Sequence, residues 1–206
     1  MGIFNFFKSK EKTVDKNISD RLPIQPNGLG EFSLRLSDFE VKNQRSTFKS
    51  VWIDPEFEKA MKTATKSDIK TRGKKADVIE LKWYFVRIIL WGHVVEIVFD
   101  PEIATKSLDD FIQRTNQQLN WLTKSKESIN NVIIRDLLHL KNDNWLSENQ
   151  LPLKKEDFLK SIFPSSIKFS RHAAFELEYN DGNLFGGHSI NVSVSSEREI
   201  TDASLI

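Results

Sequence analysis

Val78-Ile-Glu-Leu-Lys-Trp-Tyr-Phe-Val-Arg-Ile-Ile-Leu90, the pair Trp91-Gly92, and His93-Val-Val-Glu-Ile-Val-Phe99 form the stretch whose reading decides the fold. β-Branched and aromatic residues crowd both arms, and a glycine sits at the midpoint. Two core strands flanking a tight connection are therefore predicted. The run from Trp83 to Trp91 is the longest apolar stretch of the chain, and Arg87 interrupts it. It falls well short of the ~20 residues a membrane-spanning helix needs and reads as a buried strand.

Downstream of these strands the period changes. Ser107 stands three residues before Asp110, a capping-box pattern with Asp in place of Glu, and Leu108, Ile112, Thr115, Leu119 and Leu122 recur at helical spacing. A long helix is predicted there. After a break near Ser125, Ile129, Ile133, Leu137 and Leu140 predict a second, and the two should form a layer over the sheet. A short helix over Leu153–Phe163, ended by Pro164, and a short strand over Ile167–Ser170 follow. Phe175, Leu177 and Tyr179 then alternate with Glu176 and Glu178, and Ile190, Val192 and Val194 with Asn191 and Ser193, with turn residues at Asn180–Asn183 between them.

Upstream, Phe32–Leu36 and Phe48–Ile53 read as strands, and Asp54-Pro55-Glu56 opens a helix to about Lys70. That helix carries Lys59, Lys62, Lys66 and Lys70 opposite Phe57, Met61 and Ala64, which makes its outer face a candidate interaction surface. The expected class is α+β, a mainly antiparallel sheet with two long helices packed on it. Residues 1–30 read as a flexible tail and a Pro/Gly linker, and 31–206 as a single domain.

Composition limits the function classes. The chain has 206 residues, 30 Lys plus Arg against 29 Asp plus Glu, and no Cys. Near-zero net charge supplies no overall field for nucleic acid or anionic lipid, so no nucleic-acid partner is expected. Without Cys there is no thiol catalysis, Cys-ligated zinc or disulfide, and the cytoplasm is the default location. Met1-Gly-Ile-Phe-Asn-Phe-Phe-Lys lacks the pattern of an export signal, and Phe6 stands where a myristoylation motif has a hydroxyl residue. Aromatics followed by Lys8, Lys10 and Lys12 leave residues 1–12 as a segment for peripheral membrane contact.

Two aromatic-glycine elements each precede a histidine, Trp91-Gly92-His93 and Phe185-Gly186-Gly187-His188. By strand parity His93 shares a face with Val95, Ile97 and Phe99, and His188 with Ile190, Val192 and Val194, so both rings are expected to point inward. Together with Trp91 and Phe185 they form the candidate ligand-binding set, with acid–base chemistry as the functional reading and structural hydrogen bonding as the plain one. His139 and His172 have no partners at zinc-site spacing. Asn27-Gly-Leu-Gly lacks the flanking strand and helix of a dinucleotide loop. No catalytic residue, metal or cofactor is assigned.

The segments Leu137–Trp145, Leu153–Phe158, Ser166-Ile167, Phe175–Tyr179 and Asp181–Ile190 together resemble the bacterial family catalogued as domain of unknown function 2262. The run Asp181-Gly-Asn-Leu-Phe-Gly-Gly-His-Ser-Ile190 is its most distinctive part. Gly186 stands where the family more often has an aromatic. The resemblance implies a small bacterial α+β domain without established catalytic residues. Because related domains occur beside toxin genes, it also implies a toxin-neutralising, immunity-type role. The expectation is a non-enzymatic protein-interaction module whose partner is another protein, in the sharpest form of the reading a co-encoded toxin. The alternative is a small-ligand binder or enzyme built on His93 and His188.

Overall fold

The computed structural model describes residues 21–47, 78–104, 107–146, 148 and 150–206. They form one seven-stranded sheet in sequential order: β1 (Glu40–Thr47), β2 (Val78–Leu90), β3 (His93–Phe99), β4 (Phe163–Phe169), β5 (Phe175–Asn180), β6 (Ser189–Val194) and β7 (Ile200–Leu205). Neighbours pair antiparallel except β3 and β4, which are parallel through Glu96–Ser166, Ile97–Ile167 and Val98–Lys168. A parallel pair needs a crossover, and this one holds three helices. They are α1 (Leu108–Leu122), α2 (residues 126–144) and α3 (Lys155–Ser161).

Alternation places the core. Tyr84, Val86, Ile88 and Leu90 of β2 are buried with Val95, Ile97 and Phe99 of β3. Phe175, Leu177 and Tyr179 of β5 are buried with Ile190, Val192 and Val194 of β6, as the hairpin pattern requires. Against this face α1 buries Phe111, Ile112, Leu119 and Leu122, α2 buries Ile129, Ile133 and Leu137, and α3 buries Phe158. Each large side chain removed from water contributes roughly 1.5–3 kcal/mol. Phe99 is a hub: its ring lies 5.2 Å from Phe39, 5.2 Å from Tyr84 and 5.0 Å from Phe111, joining β2, β3, α1 and the segment before β1.

The predicted N-cap of α1 is present, since the Ser107 hydroxyl accepts from the Asp110 N–H at 3.1 Å. The break after it is present too: α1 ends at Leu122 and α2 starts at Lys126. Inside α2, residues Ile134–Leu138 form a π turn, which aims Arg135 and Asp136 at the edge strand β7. Asp136 accepts from the Ala203 N–H at 2.9 Å, and Arg135 donates to Thr201 O at 3.3 Å.

Several expectations are corrected. The described residues hold three helices in place of the two long ones of the expected class, the third, α3, being the short helix expected over Leu153–Phe163. Strand β4 begins at Phe163 and runs through Pro164, where a register shift between Pro164 and Ser166 accommodates the missing N–H. β7 was not anticipated, because Ile200-Thr-Asp-Ala-Ser-Leu205 buries only Ala203 among its six residues. Phe32–Leu36 is not a strand of the sheet. Its extended main chain is held instead by α1. Asn120 accepts from Phe32 N at 2.6 Å and donates to Phe32 O at 3.3 Å; Asn116 does the same for Leu34, at 2.8 and 2.9 Å. Residues four apart on a helix rise ~6 Å, and alternate residues of an extended chain are spaced ~6.6 Å, so two amides can imitate a strand edge. Earlier still, Ile24 bonds to Arg87 O and Ile89 N at 2.9 Å each, so ordered contacts precede Phe32. The expected Phe48–Ile53 strand and the Lys59, Lys62, Lys66 and Lys70 helix lie outside the described residues, as does the 1–12 segment.

Candidate functional site

Trp91 and Gly92 make the two-residue turn between β2 and β3, with φ of 51° and 86°. Positive φ at both positions is the hairpin geometry that matches strand twist, and it is what Gly92 is there for. Trp91 donates its indole N–H to Thr123 O at 3.2 Å, which ties the turn to the corner between α1 and α2. His93 has core-face parity, as predicted. It is nevertheless exposed, because it opens its strand at the rim of the sheet, and its ring stacks on Phe163 at 5.8 Å. His188 is also exposed, edge-on to Trp145 at 5.7 Å, with Nδ1 at 3.4 Å from Ile206 O.

The two histidines lie at one end of the sheet, at different strands. His93 stacks on Phe163, Phe163 pairs with Asn180, and Asn180 pairs with Ser189 beside His188. Three strand spacings separate them, about 14 Å. Phe185 is fully buried, packed on Trp145 at 5.7 Å and Phe158 at 6.1 Å.

The distinctive Asp181–Ile190 run is organised around its own backbone. Asp181, only 3% exposed, accepts from Asn183 N at 2.9 Å, Phe185 N at 2.7 Å and Gly187 N at 3.3 Å. A carboxylate with three N–H donors is well satisfied in a dry site. Gly182, at φ 58°, is required twice over: a Cβ there would lie 2.1 Å from Ser161 O. Lys141, buried on α2, donates Nζ to Trp145 O and so fixes the chain end that carries the Trp145 ring. The Asp181 carboxylate thus organises the loop from within.

At the opposite end of the sheet the arrangement differs. Asp110, Gln113, Arg114, Gln117 and Gln118 share one stripe of α1, by their three- and four-residue spacing. They face the turn that follows β4, through His172, and the turn between β6 and β7, through Ser196, Glu197 and Arg198. Between them lies an open groove of about 850 Å³. Neither His93 nor His188 lines it.

Three non-glycine residues around this groove adopt left-handed backbone: His172 (φ 61°), Ala173 (φ 61°) and Arg198 (φ 72°). That conformation costs roughly 1–2 kcal/mol per residue and tends to cluster where function demands it. Arg114 pairs with Asp110 at 3.2 Å. The Ser196 hydroxyl donates to Glu197 at 2.8 Å, and chiefly this bond, followed by the Glu197 backbone N–H, holds the Glu197 carboxyl below the usual carboxylate range. Among the described residues the Arg198 guanidinium reaches only Gln117 O, at 3.4 Å.

Gln118 is the unusual member. It is 5% exposed, and its Nε2 donates to Ser196 O at 2.8 Å, yet its Oε1 has no hydrogen-bond partner among the described residues. The Nε2 bond fixes the amide, since exchanging N and O would set two acceptors against each other. A buried acceptor without a donor costs about 1–3 kcal/mol. Sequence reasoning missed this site because its parts come from three distant segments, each of which reads alone as solvated. His172 was noted only as isolated, and no residue type at 172 or 198 signals a positive φ.

No group of three or more His, Asp or Glu able to hold a metal occurs among the described residues, and no helix there is long and apolar enough to cross a membrane. Fold and groove together define an α+β domain with an open polar cleft over one end of its sheet. The chain belongs to the family described as an uncharacterized protein conserved in bacteria (DUF2262), whose model matches residues 78–205, more than half of it. No curated protein and no solved structure matches the chain.

Proposed function

We propose that this domain is a non-enzymatic binding module that recognises another protein through the groove between α1 and the two turns. The supporting observation is the groove's make-up: a wide, polar, mixed-charge cleft, framed by left-handed backbone at the non-glycine residues His172, Ala173 and Arg198. Small-molecule sites are mostly apolar and more enclosed. The sharpest form of this reading is neutralisation of a toxin encoded by a neighbouring gene, which rests on the family resemblance alone.

The test is affinity capture from the native host with the full chain as bait, followed by purification of the captured protein and a binary titration. A neighbour-encoded partner binding with a Kd below about 1 µM is the expected result. Nothing above background, with no toxin-like neighbouring gene, would sink the reading.

A second reading uses the other end of the sheet as a small-ligand or enzymatic site of His93, His188, Trp91 and Phe185. Two exposed imidazoles beside aromatic rings favour it. Its requirement is that one ligand perturbs the ring resonances of both histidines in an NMR titration; perturbation of one alone removes it.

A further inference from the structure

α1 already binds an extended chain, its own. Asn116 and Asn120, four residues apart, hold the main chain at Leu34 and Phe32 with paired donor and acceptor bonds. One stripe further round the helix, Gln113 and Gln117 repeat that spacing with side-chain amides of the same chemistry, and both are exposed on the groove. From Asp110 to Gln118 the helix offers ~12 Å of wall, the length of about four extended residues.

Two further groups in the cleft are unsatisfied. Gln118 Oε1 is a buried acceptor with no donor. Among the charges, Asp110 is taken by Arg114, and Glu197 by the Ser196 hydroxyl; Arg198 pairs with no carboxylate among the described residues. A guanidinium presents a planar fork suited to a carboxylate. Glu197 beside it disfavours a phosphate dianion.

Resting on the binding-module reading, we infer that the groove takes an extended acidic peptide segment. Gln113 and Gln117 read its main chain, a donor of the segment satisfies Gln118 Oε1, and an Asp or Glu side chain or a terminal carboxylate pairs with Arg198.

The experiment is selection of a phage-displayed random heptapeptide library on the immobilised full chain. Enriched peptides are then titrated by fluorescence anisotropy against wild type, Arg198→Gly, Gln118→Met and His188→Ala. Arg198→Gly removes the guanidinium while relieving the left-handed backbone, so its Tm should equal or exceed that of wild type. That keeps the test informative even if Gln118→Met, which also loses the Ser196 bond, loosens the turn. Enriched peptides should carry an acidic residue, weaken at least tenfold with Arg198→Gly and with Gln118→Met, and ignore His188→Ala. No enrichment, peptides without an acid, or affinities indifferent to Arg198→Gly would overturn the inference. A neighbour-encoded protein that binds both groove variants like wild type would overturn it while leaving the module reading in place. Groove-dependent peptides from a chain that captures no host protein would uphold the slot and remove the proposed partner.

Discussion

At the His188 end of the sheet Asp181 gathers three main-chain N–H groups of its own loop, whereas at the Arg198 end the buried Gln118 Oε1 has no donor among the described residues. Glycines take three of the four positive-φ positions of the first loop, 182, 186 and 187, with Asn183 at the fourth, whereas His172, Ala173 and Arg198 take those of the second turn region. The first end is built for stability. The second accepts strain and an unmet hydrogen bond, as recognition surfaces do. The more conspicuous sequence motif thus marks the scaffold, and the quieter one the cleft.

The difference can be broken most sharply at Phe185. Phe185→Ala removes a fully buried ring between Trp145 and Phe158 and should cost roughly 3–5 kcal/mol in urea unfolding; a cost under 1 would mean that this end is not load-sharing core. Next, Gly182→Ala should lose roughly 2–4 kcal/mol from the clash with Ser161 O combined with left-handed backbone. By contrast Arg198→Gly, at the other end, should be neutral or stabilising by up to about 1 kcal/mol. If Gly182→Ala and Arg198→Gly move Tm in the same direction, the contrast between the two ends fails.

Smaller effects sharpen the picture in the body between those ends. Tyr179 is buried with an unpartnered hydroxyl, and burial pushes its ionisation far above the ordinary tyrosine range. Tyr179→Phe should therefore stabilise by about 1 kcal/mol, and a loss would reveal a partner for the hydroxyl. Asp136 is held below its ordinary pKa, first by Arg135 and then, among the favourable causes, by the Ala203 N–H. Because the folded value is lowered, its contribution is present above the unfolded value and is lost as pH falls through the folded one. The Tm gap between wild type and Asp136→Asn should stay constant above about pH 5 and close below about pH 4. An unchanging gap down to pH 2 would remove Asp136 from the clamp on β7.

What could be read beforehand follows from where the information lies. β2, β3, β5 and β6 announce themselves because core burial imposes alternation on contiguous residues, and α1 because its cap and apolar stripe are local. β7 hides because an edge strand clamped by Asp136 needs little apolar content of its own. The strand expected at Phe32–Leu36 is extended, but its partner is a pair of asparagines on a helix, which alternation cannot distinguish from a strand. Likewise the Asp181–Ile190 loop is legible as a motif, while its purpose is legible only from the three N–H groups on Asp181. The cleft combines residues 110–118, 172 and 196–198, and no spacing rule joins them.

The parallel seam between β3 and β4 has a consequence for the order of assembly. On one side of it β2 and β3 meet through a two-residue turn; on the other, β4 to β7 fold back on one another over short loops. Only the seam waits for a crossover of some sixty residues to be placed, and such distant closure is slow. Two half-sheets should form early and zip together last. A chain severed between α2 and α3 should then yield complementary fragments that recover the native sheet on mixing, at a rate that depends on their concentration.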